Sequence, residues 1–247
     1  EAGSEVEGFR KGDRVLSRIV WGGFAEFVQS DADMLVHLPA NVGFEEGAIA
    51  QLLPIAVRGA ELAVRPGNTV FVNGLGAAGL LCVQVAKAYG ASRVLAADFF
   101  EMKRNAALEV GADLAIDPDA EDVVERVRRD TDGGADVTVE AVGLEPSFRA
   151  CEGAVRNGGI ISIFGTHLTP VSLSLLEWEG RSLKLHVMRE QRDEMPRMLH
   201  KAVDLLASGK VRLKPLLSKV MKLDDIVAAF DLAIHHPQKH IKIAIVP

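Results

Sequence analysis

The chain has 247 residues, 48% apolar and 25% charged, which is enough for one large or two small domains with a sizeable core. That balance excludes a disordered, collagen-like or disulfide-stapled chain. Lys and Arg number 28 against 34 Asp and Glu, and the net charge of −6 gives no basic footprint for nucleic acid or an anionic membrane surface.

Residues 1–8 are acidic and Gly-rich, without the basic start of a signal peptide. No apolar run reaches the roughly 18 residues of a membrane span. Cys82 and Cys151 stand far apart with no partner at metal-ligand spacing, as expected in a reducing compartment. The expectation is a soluble, cytoplasmic protein.

Residues 12–39 read as short strands at 14–19, 24–29 and 34–37, separated by Gly and Asp turn material. Residues 44–64, rich in Ala, Leu and Glu, read as helix broken or kinked near Pro54. From Arg65 the pattern becomes a regular alternation. Strands are expected at 69–73, 93–97, 114–116, 137–140 and 160–164, and helices at 77–89, 101–110, 121–129 and 147–155. Gly90 and Gly111 stop the first two of these helices. Residues 195–207 and 224–234 read as amphipathic helices, 182–187 as a final sheet strand and 241–246 as a terminal strand. Short apolar strands separated by helices imply an α/β fold, a doubly wound parallel sheet covered on both faces.

The richest segment is Thr69-Val-Phe-Val-Asn-Gly-Leu-Gly-Ala-Ala-Gly79. Alone, G-x-G-x-x-G is a weak pattern. Here Gly74, Leu75, Gly76, Ala77, Ala78 and Gly79 link a predicted strand to a predicted helix, the setting of a dinucleotide fingerprint. Gly74 permits the turn, Gly76 lets a pyrophosphate approach, and Gly79 lets helix and strand pack closely. Asp98, 19 residues after Gly79 at the end of the second strand, can accept both adenosine ribose hydroxyls and would repel a 2′-phosphate. This predicts NAD(H) as cofactor. A methyltransferase that uses S-adenosylmethionine is the rival, since it shares a glycine loop and strand-end acid but usually ends its sheet in an antiparallel hairpin.

With these residues in hand, the chain resembles the medium-chain dehydrogenase/reductase superfamily, zinc-type alcohol dehydrogenase-like branch. The resemblance runs through Gly12-Asp-Arg-Val15, Gly22-Gly-Phe-Ala-Glu26, the strand reaching Leu38-Pro39, and the glycine loop. It continues through Ala86-Lys87 with Gly90-Ala91, Gly111-Ala-Asp113, Glu140-Ala-Val-Gly143, Gly158-Gly159, Gly209-Lys210 and Leu223-Asp-Asp-Ile226 with Ala229-Phe230. It implies a Rossmann domain over 55–190, flanked by part of a GroES-like catalytic domain at 1–54 and a return to that domain at 191–247. By position it implies that Lys103 reaches the adenosine ribose and Val142 lies along the cofactor. Phe164 and Thr166 would meet the nicotinamide end, and Lys242 the pyrophosphate.

The resemblance also implies hydride transfer between NAD(H) and a small-molecule alcohol or carbonyl. It further implies a homodimer or dimer of dimers, with sheets joined edge to edge through 182–187.

Three departures from the family pattern bear on zinc. The G-x-C-x-T/S-D and G-H-E segments, which carry the catalytic zinc's Cys and His ligands, have no counterpart in 1–247, so zinc is expected only if a preceding segment supplies them. The cysteine-rich loop expected between the G-D-R-V and G-G-x-A-E motifs is reduced to residues 16–21, without a cysteine. The acid or cysteine near Glu-Pro-Leu of polyol-type members reads Gln51-Leu-Leu-Pro54.

No metal ligand and no catalytic acid, base or nucleophile is therefore assigned. His235, His236 and His240 read as a solvated loop, His167 as a strand-terminal surface residue, and Cys82 as small core. Two alternatives stay open, a zinc-free quinone or enoyl reductase of the same superfamily and a dinucleotide-binding module without catalysis.

Overall fold

A computed structural model describes residues 2–19, 21–189 and 191–247. In chain order, the first zone holds strands β1 (Val15–Ser17) and β2 (Leu35–His37), the single-turn helix α1 (Phe44–Gly47) and helix α2 (Leu53–Ala63). β1 and β2 pair antiparallel, Val15 opposite His37. The expected strand at 24–29 is absent. Residues 21–29 are exposed and irregular, with Phe27 90% accessible, because no neighbouring chain offers them a hydrogen-bond ladder. The expected long helix divides where predicted, since Pro54 can occupy only the first turn of α2 and a 3-10 turn, Ala50–Leu52, precedes it.

The alternating zone follows as β3 (Thr69–Asn73), α3 (Ala77–Ala88), β4 (Arg93–Ala97), α4 (Glu101–Glu109) and β5 (Leu114–Ile116), then α5 (Val123–Asp130), β6 (Ala135–Glu140), α6 (Glu145–Ala154), β7 (Val155–Ile163), α7 (Leu175–Arg181) and β8 (Lys184–Val187). These strands form one six-stranded sheet in the order β5-β4-β3-β6-β7-β8, parallel throughout. Because β8 runs parallel to β7, the antiparallel finish of a methyltransferase sheet is not present. β8 is shorter than expected because Ser182 adopts φ +53° as the cap of α7.

The sheet buries both faces. Val70, Val72, Val94 and Val137 face a core shared with α2 and α3, while Phe71, Leu95, Ile116 and Ile161 face a second core with Val127, Phe148 and Cys151. A fully buried side chain of this size contributes about 1.5–3 kcal/mol. α3 is apolar on nearly every side because it lies between the sheet and α2, whereas α5 buries only Val127.

The last zone holds α8 (Met195–Ala207), β9 (Leu217–Lys222), α9 (Ile226–His235) and β10 (Lys242–Val246). β9 and β10 form a separate parallel pair. Among the described residues no helix is long and apolar enough to cross a membrane.

Candidate dinucleotide site

The sheet reverses its winding between β3 and β6, and the crevice beyond the carboxyl ends of those strands is where doubly wound folds hold ligands. The glycine loop leaves β3 at this point. Gly74 turns at φ +94°, and a Cβ there would stand 2.5 Å from Cγ2 of Val142, which follows β6. Gly79 packs against the loop so closely that a Cβ would overlap the Gly74 carbonyl oxygen and stand 2.9 Å from its carbon. Gly76 differs. It has φ −68°, and a Cβ there would meet nothing within 4 Å, so its face is open. No side chain caps α3, which leaves the first amides after Gly76 as free donors with the positive end of the helix dipole behind them.

Leu75 is fully buried; its amide donates to Oδ2 of Asp98 at 2.8 Å, and the amide of Phe100 donates to Oδ1 at 2.9 Å. The carboxylate is thus oriented by one amide per oxygen, with lone pairs to spare. It lines a cavity of about 420 Å³ together with Gly74, Phe99, Lys103, Val142 and Leu144. Lys103 Nζ lies 4.8 Å from the centre of the Phe100 ring. Arg104 is committed elsewhere, donating to the carbonyls of Asp98 and Phe99 at 2.9 and 2.8 Å and pairing with Asp117 at 2.7 Å.

Ala77 and Ala78 open α3 beneath the open face of Gly76. Phe164 and Thr166 do not line this cavity. They follow β7, where the Phe164 amide donates to Glu140 O at 2.8 Å and Thr166 is exposed. Lys242 begins β10 in the separate sheet and is not among the cavity's lining residues.

The structure adds a buried group that sequence reasoning passed over. Glu140 ends β6 with no exposure, and its Oε1 accepts from the amides of Val142 and Gly143 at 2.8 and 2.9 Å and from the Ser147 hydroxyl. Its Oε2 lies 3.0 Å from Nε2 of His167, whose side chain is only 17% exposed and packs edge-on to Phe148. His167 is therefore not the surface residue expected, because this carboxylate draws it inward. Glycine is required at position 165, where a Cβ would stand 2.5 Å from Oε2 of Glu140. The signals in the sequence are an acid ending an apolar strand and the match of Glu140-Ala-Val-Gly143 to the family pattern, neither of which points to His167.

Glu140→Ala would leave two amides, a hydroxyl and an imidazole without their buried partner. It should lower unfolding stability by about 3–5 kcal/mol. Urea denaturation checks this, and a loss below about 1 kcal/mol would contradict the role.

Other candidate groups are inert or apart. Burial pushes the Cys82 thiol up to about 12 and Cys151 well above its ordinary value, so neither is a ready nucleophile. His235 ends α9 in solvent, 3.9 Å from Asp231. Gln51, at the position where polyol-type relatives are expected to carry an acid or cysteine, accepts at Oε1 from Arg18 Nη1 at 2.9 Å. A fixed guanidinium charge there opposes a metal dication. Among the described residues no group of three or more His, Cys, Asp or Glu side chains comes together, and these residues do not fit a zinc ion.

A parallel doubly wound sheet with a glycine loop and a strand-end acid at its switch point defines the dinucleotide-binding class. The family model described as zinc-binding dehydrogenase matches residues 77–205. The chain belongs to that family, within the zinc-type alcohol dehydrogenase-like oxidoreductases of the medium-chain superfamily.

It is 32% identical to sorbitol dehydrogenase 1 of Saccharomyces cerevisiae, over 90% of this chain and 63% of that protein, so it spans just under two thirds of that relative. The 2R,3R-butanediol dehydrogenase structure from Bacillus subtilis shares the fold, with TM-score 0.87, 24% identity, and 100% of this chain and 77% of that one covered. A Sinorhizobium meliloti structure described as a zinc-binding dehydrogenase bound to NADP has TM-score 0.80 and 29% identity, covering 92% and 66%. A nicotinamide cofactor accords with this family and with the open glycine loop.

Proposed function

We propose that the protein is an NAD(H)-dependent oxidoreductase that moves a hydride between an alcohol or polyol, or the matching carbonyl, and the cofactor. The observation that carries this reading is the open face of Gly76 beside the amide-oriented carboxylate of Asp98. In it, residues 55–190 hold the dinucleotide, while 1–54 and 191–247 form the substrate side. The first amides of α3 and the faces of Gly76, Ala77 and Ala78 receive the pyrophosphate. Asp98 accepts the ribose hydroxyls, with Lys103 beside it. Val142 and the strand end at Phe164 and Thr166 bound the nicotinamide, and Lys242 approaches the pyrophosphate from the flank. When bound, the nicotinamide supplies the hydride chemistry, and the protein contributes orientation and electrostatics. The two buried, unpaired thiols support a reducing, cytoplasmic setting.

Titration with NADH and NADPH by nicotinamide fluorescence tests the reading, and binding of neither would end it. A second reading, zinc-free carbonyl or enone reduction, is favoured by the Arg18 guanidinium on Gln51. Metal analysis of the purified protein separates the two, since stoichiometric zinc would exclude the second.

We infer further that two copies pair through β8. This strand lies at the sheet edge, with Leu185 and Val187 accessible at 42% and 56%. An unpaired edge of this kind invites a two-fold partner. Light scattering should give twice the chain mass of 26.6 kDa, and Leu185→Pro should give a monomer. A wild-type mass of one chain would refute dimerisation, and a dimer that survives Leu185→Pro would put the contact elsewhere.

A further inference from the structure

We propose that His167 is a positioning residue for the nicotinamide half of the cofactor, because its hydrogen bond to Glu140 pins the turn that seats that half. The inference rests on the dinucleotide reading above and deepens it. His167 acts through the turn and touches neither substrate nor the reacting carbon.

The place of the turn follows from the sheet. Asp98 follows β4, on one side of the glycine loop, and is the group proposed for the adenosine ribose. A dinucleotide whose pyrophosphate lies at the start of α3 carries its other half to the opposite side, over the ends of β6 and β7. Two turns stand there, 141–144 after β6 and 164–168 after β7. They interlock through backbone. A Cβ on Gly143 would stand 2.5 Å from the Thr166 carbonyl oxygen, and one on Gly165 would overlap the Gly143 amide nitrogen.

Glu140 holds both turns. Its carboxylate accepts from the amides of Val142 and Gly143, and its backbone carbonyl accepts from those of Phe164 and Gly165 at 2.8 and 3.0 Å. Beyond Gly165 this backbone support stops. Among the described residues, 166–171 make a single hydrogen bond, between Nε2 of His167 and Oε2 of Glu140 at 3.0 Å. A carboxylate can only accept, so Nε2 carries the hydrogen. Nδ1 is buried without a hydrogen bond among the described residues, which leaves this link as the ring's one polar tie. Phe148 backs the ring edge-on, with centroids 6.2 Å apart, and Trp178 is stacked on Phe148.

A buried carboxylate and a packed ring thus anchor a stretch of chain that is mostly exposed. With the anchor cut, the bound cofactor must order the turn itself, and that ordering is subtracted from its affinity. The loss falls on the nicotinamide half alone, because Asp98 is held by the amides of Leu75 and Phe100.

The test is titration of the whole chain with NADH and with ADP-ribose, which lacks the nicotinamide, in the wild type, His167→Leu and His167→Gln. Denaturant melts run beside the titrations. The wild type should bind NADH more tightly than ADP-ribose. His167→Leu should lose about tenfold or more in NADH affinity, the scale of one hydrogen bond, and keep ADP-ribose affinity within about twofold. His167→Gln, whose amide N–H can reach the same carboxylate, should recover most of the loss. A merely structural role would weaken both ligands together. If His167→Leu fails to fold, His167→Asn takes its place, since its shorter side chain leaves Glu140 out of reach.

Equal loss of both ligands, unchanged NADH affinity, or a loss that His167→Gln leaves in place would overturn the proposal. A wild type that binds ADP-ribose as tightly as NADH would also overturn it, while the dinucleotide site itself would stand. A wild type that binds neither would end the dehydrogenase reading and this inference with it.

Discussion

Gly76→Val is expected to yield a folded chain that no longer holds a dinucleotide, whereas Gly79→Ala is expected to damage the fold itself. The two glycines stand three residues apart and differ in what surrounds them. A Cβ at position 76 meets nothing within 4 Å beyond its chain neighbours, and its φ of −68° is open to any residue, so unfolding stability should change by about 1 kcal/mol or less. The same side chain would stand in the space left for the pyrophosphate, and affinity for NADH should fall by about 100-fold or more. At position 79 a single methyl group overlaps the Gly74 carbonyl oxygen, which is backbone and cannot swing aside. Strand and helix must then separate, at a cost of about 2 kcal/mol or more. Denaturant melts beside fluorescence titrations read both effects. A Gly76→Val variant that binds normally would reduce 74–79 to a structural turn.

The regularity of the central region made it readable from residues alone. Thr69–Asn73, Arg93–Ala97, Leu114–Ile116 and Met195–Ala207 fall where apolar periodicity and glycine stops place them, because each is decided by its own side chains and immediate neighbours. The failures lie where the deciding partner is remote. Residues 24–29 alternate like a strand, yet an isolated strand has no ladder and the alternation forms nothing. β9 exists because β10 lies beside it, and its mostly exposed side chains carry no inward pattern.

α7 had a signal that the periodicity reading overlooked. Ser174 and Glu177 are spaced as a capping box, and the Ser174 hydroxyl does accept from the Glu177 amide at 3.4 Å. In the candidate site, the glycines and Asp98 declare themselves by spacing. Glu140 does not, since one of its partners is 27 residues further on at His167 and only the fold brings them together.

Asp98→Ser is expected to narrow or reverse a preference for NADH over NADPH that the wild type should show at about tenfold or more. The carboxylate has two tasks. Each oxygen takes one amide, from Leu75 or Phe100, and each keeps a lone pair for a ribose hydroxyl. A 2′-phosphate brought to the same place would meet a like charge held rigidly by those amides, with little room to turn away. Serine removes the charge and one of the two acceptors. NADH should then lose about 1.5–3 kcal/mol of charge-assisted hydrogen bonding, while NADPH should gain by the loss of repulsion.

The cation available to a phosphate is Lys103, which lines the same cavity, because Arg104 is already spent on two carbonyls and Asp117. NADPH binding by Asp98→Ser should therefore fall again when Lys103→Met is added, whereas NADH binding should change little. The loop should also loosen, since one of the amides of Leu75 and Phe100 loses its acceptor, and a lower melting temperature for Asp98→Ser would register that separately from the cofactor effect. Tighter NADPH than NADH binding by the wild type would sink the assignment. An unchanged preference in Asp98→Ser would show that the discrimination lies in residues other than Asp98.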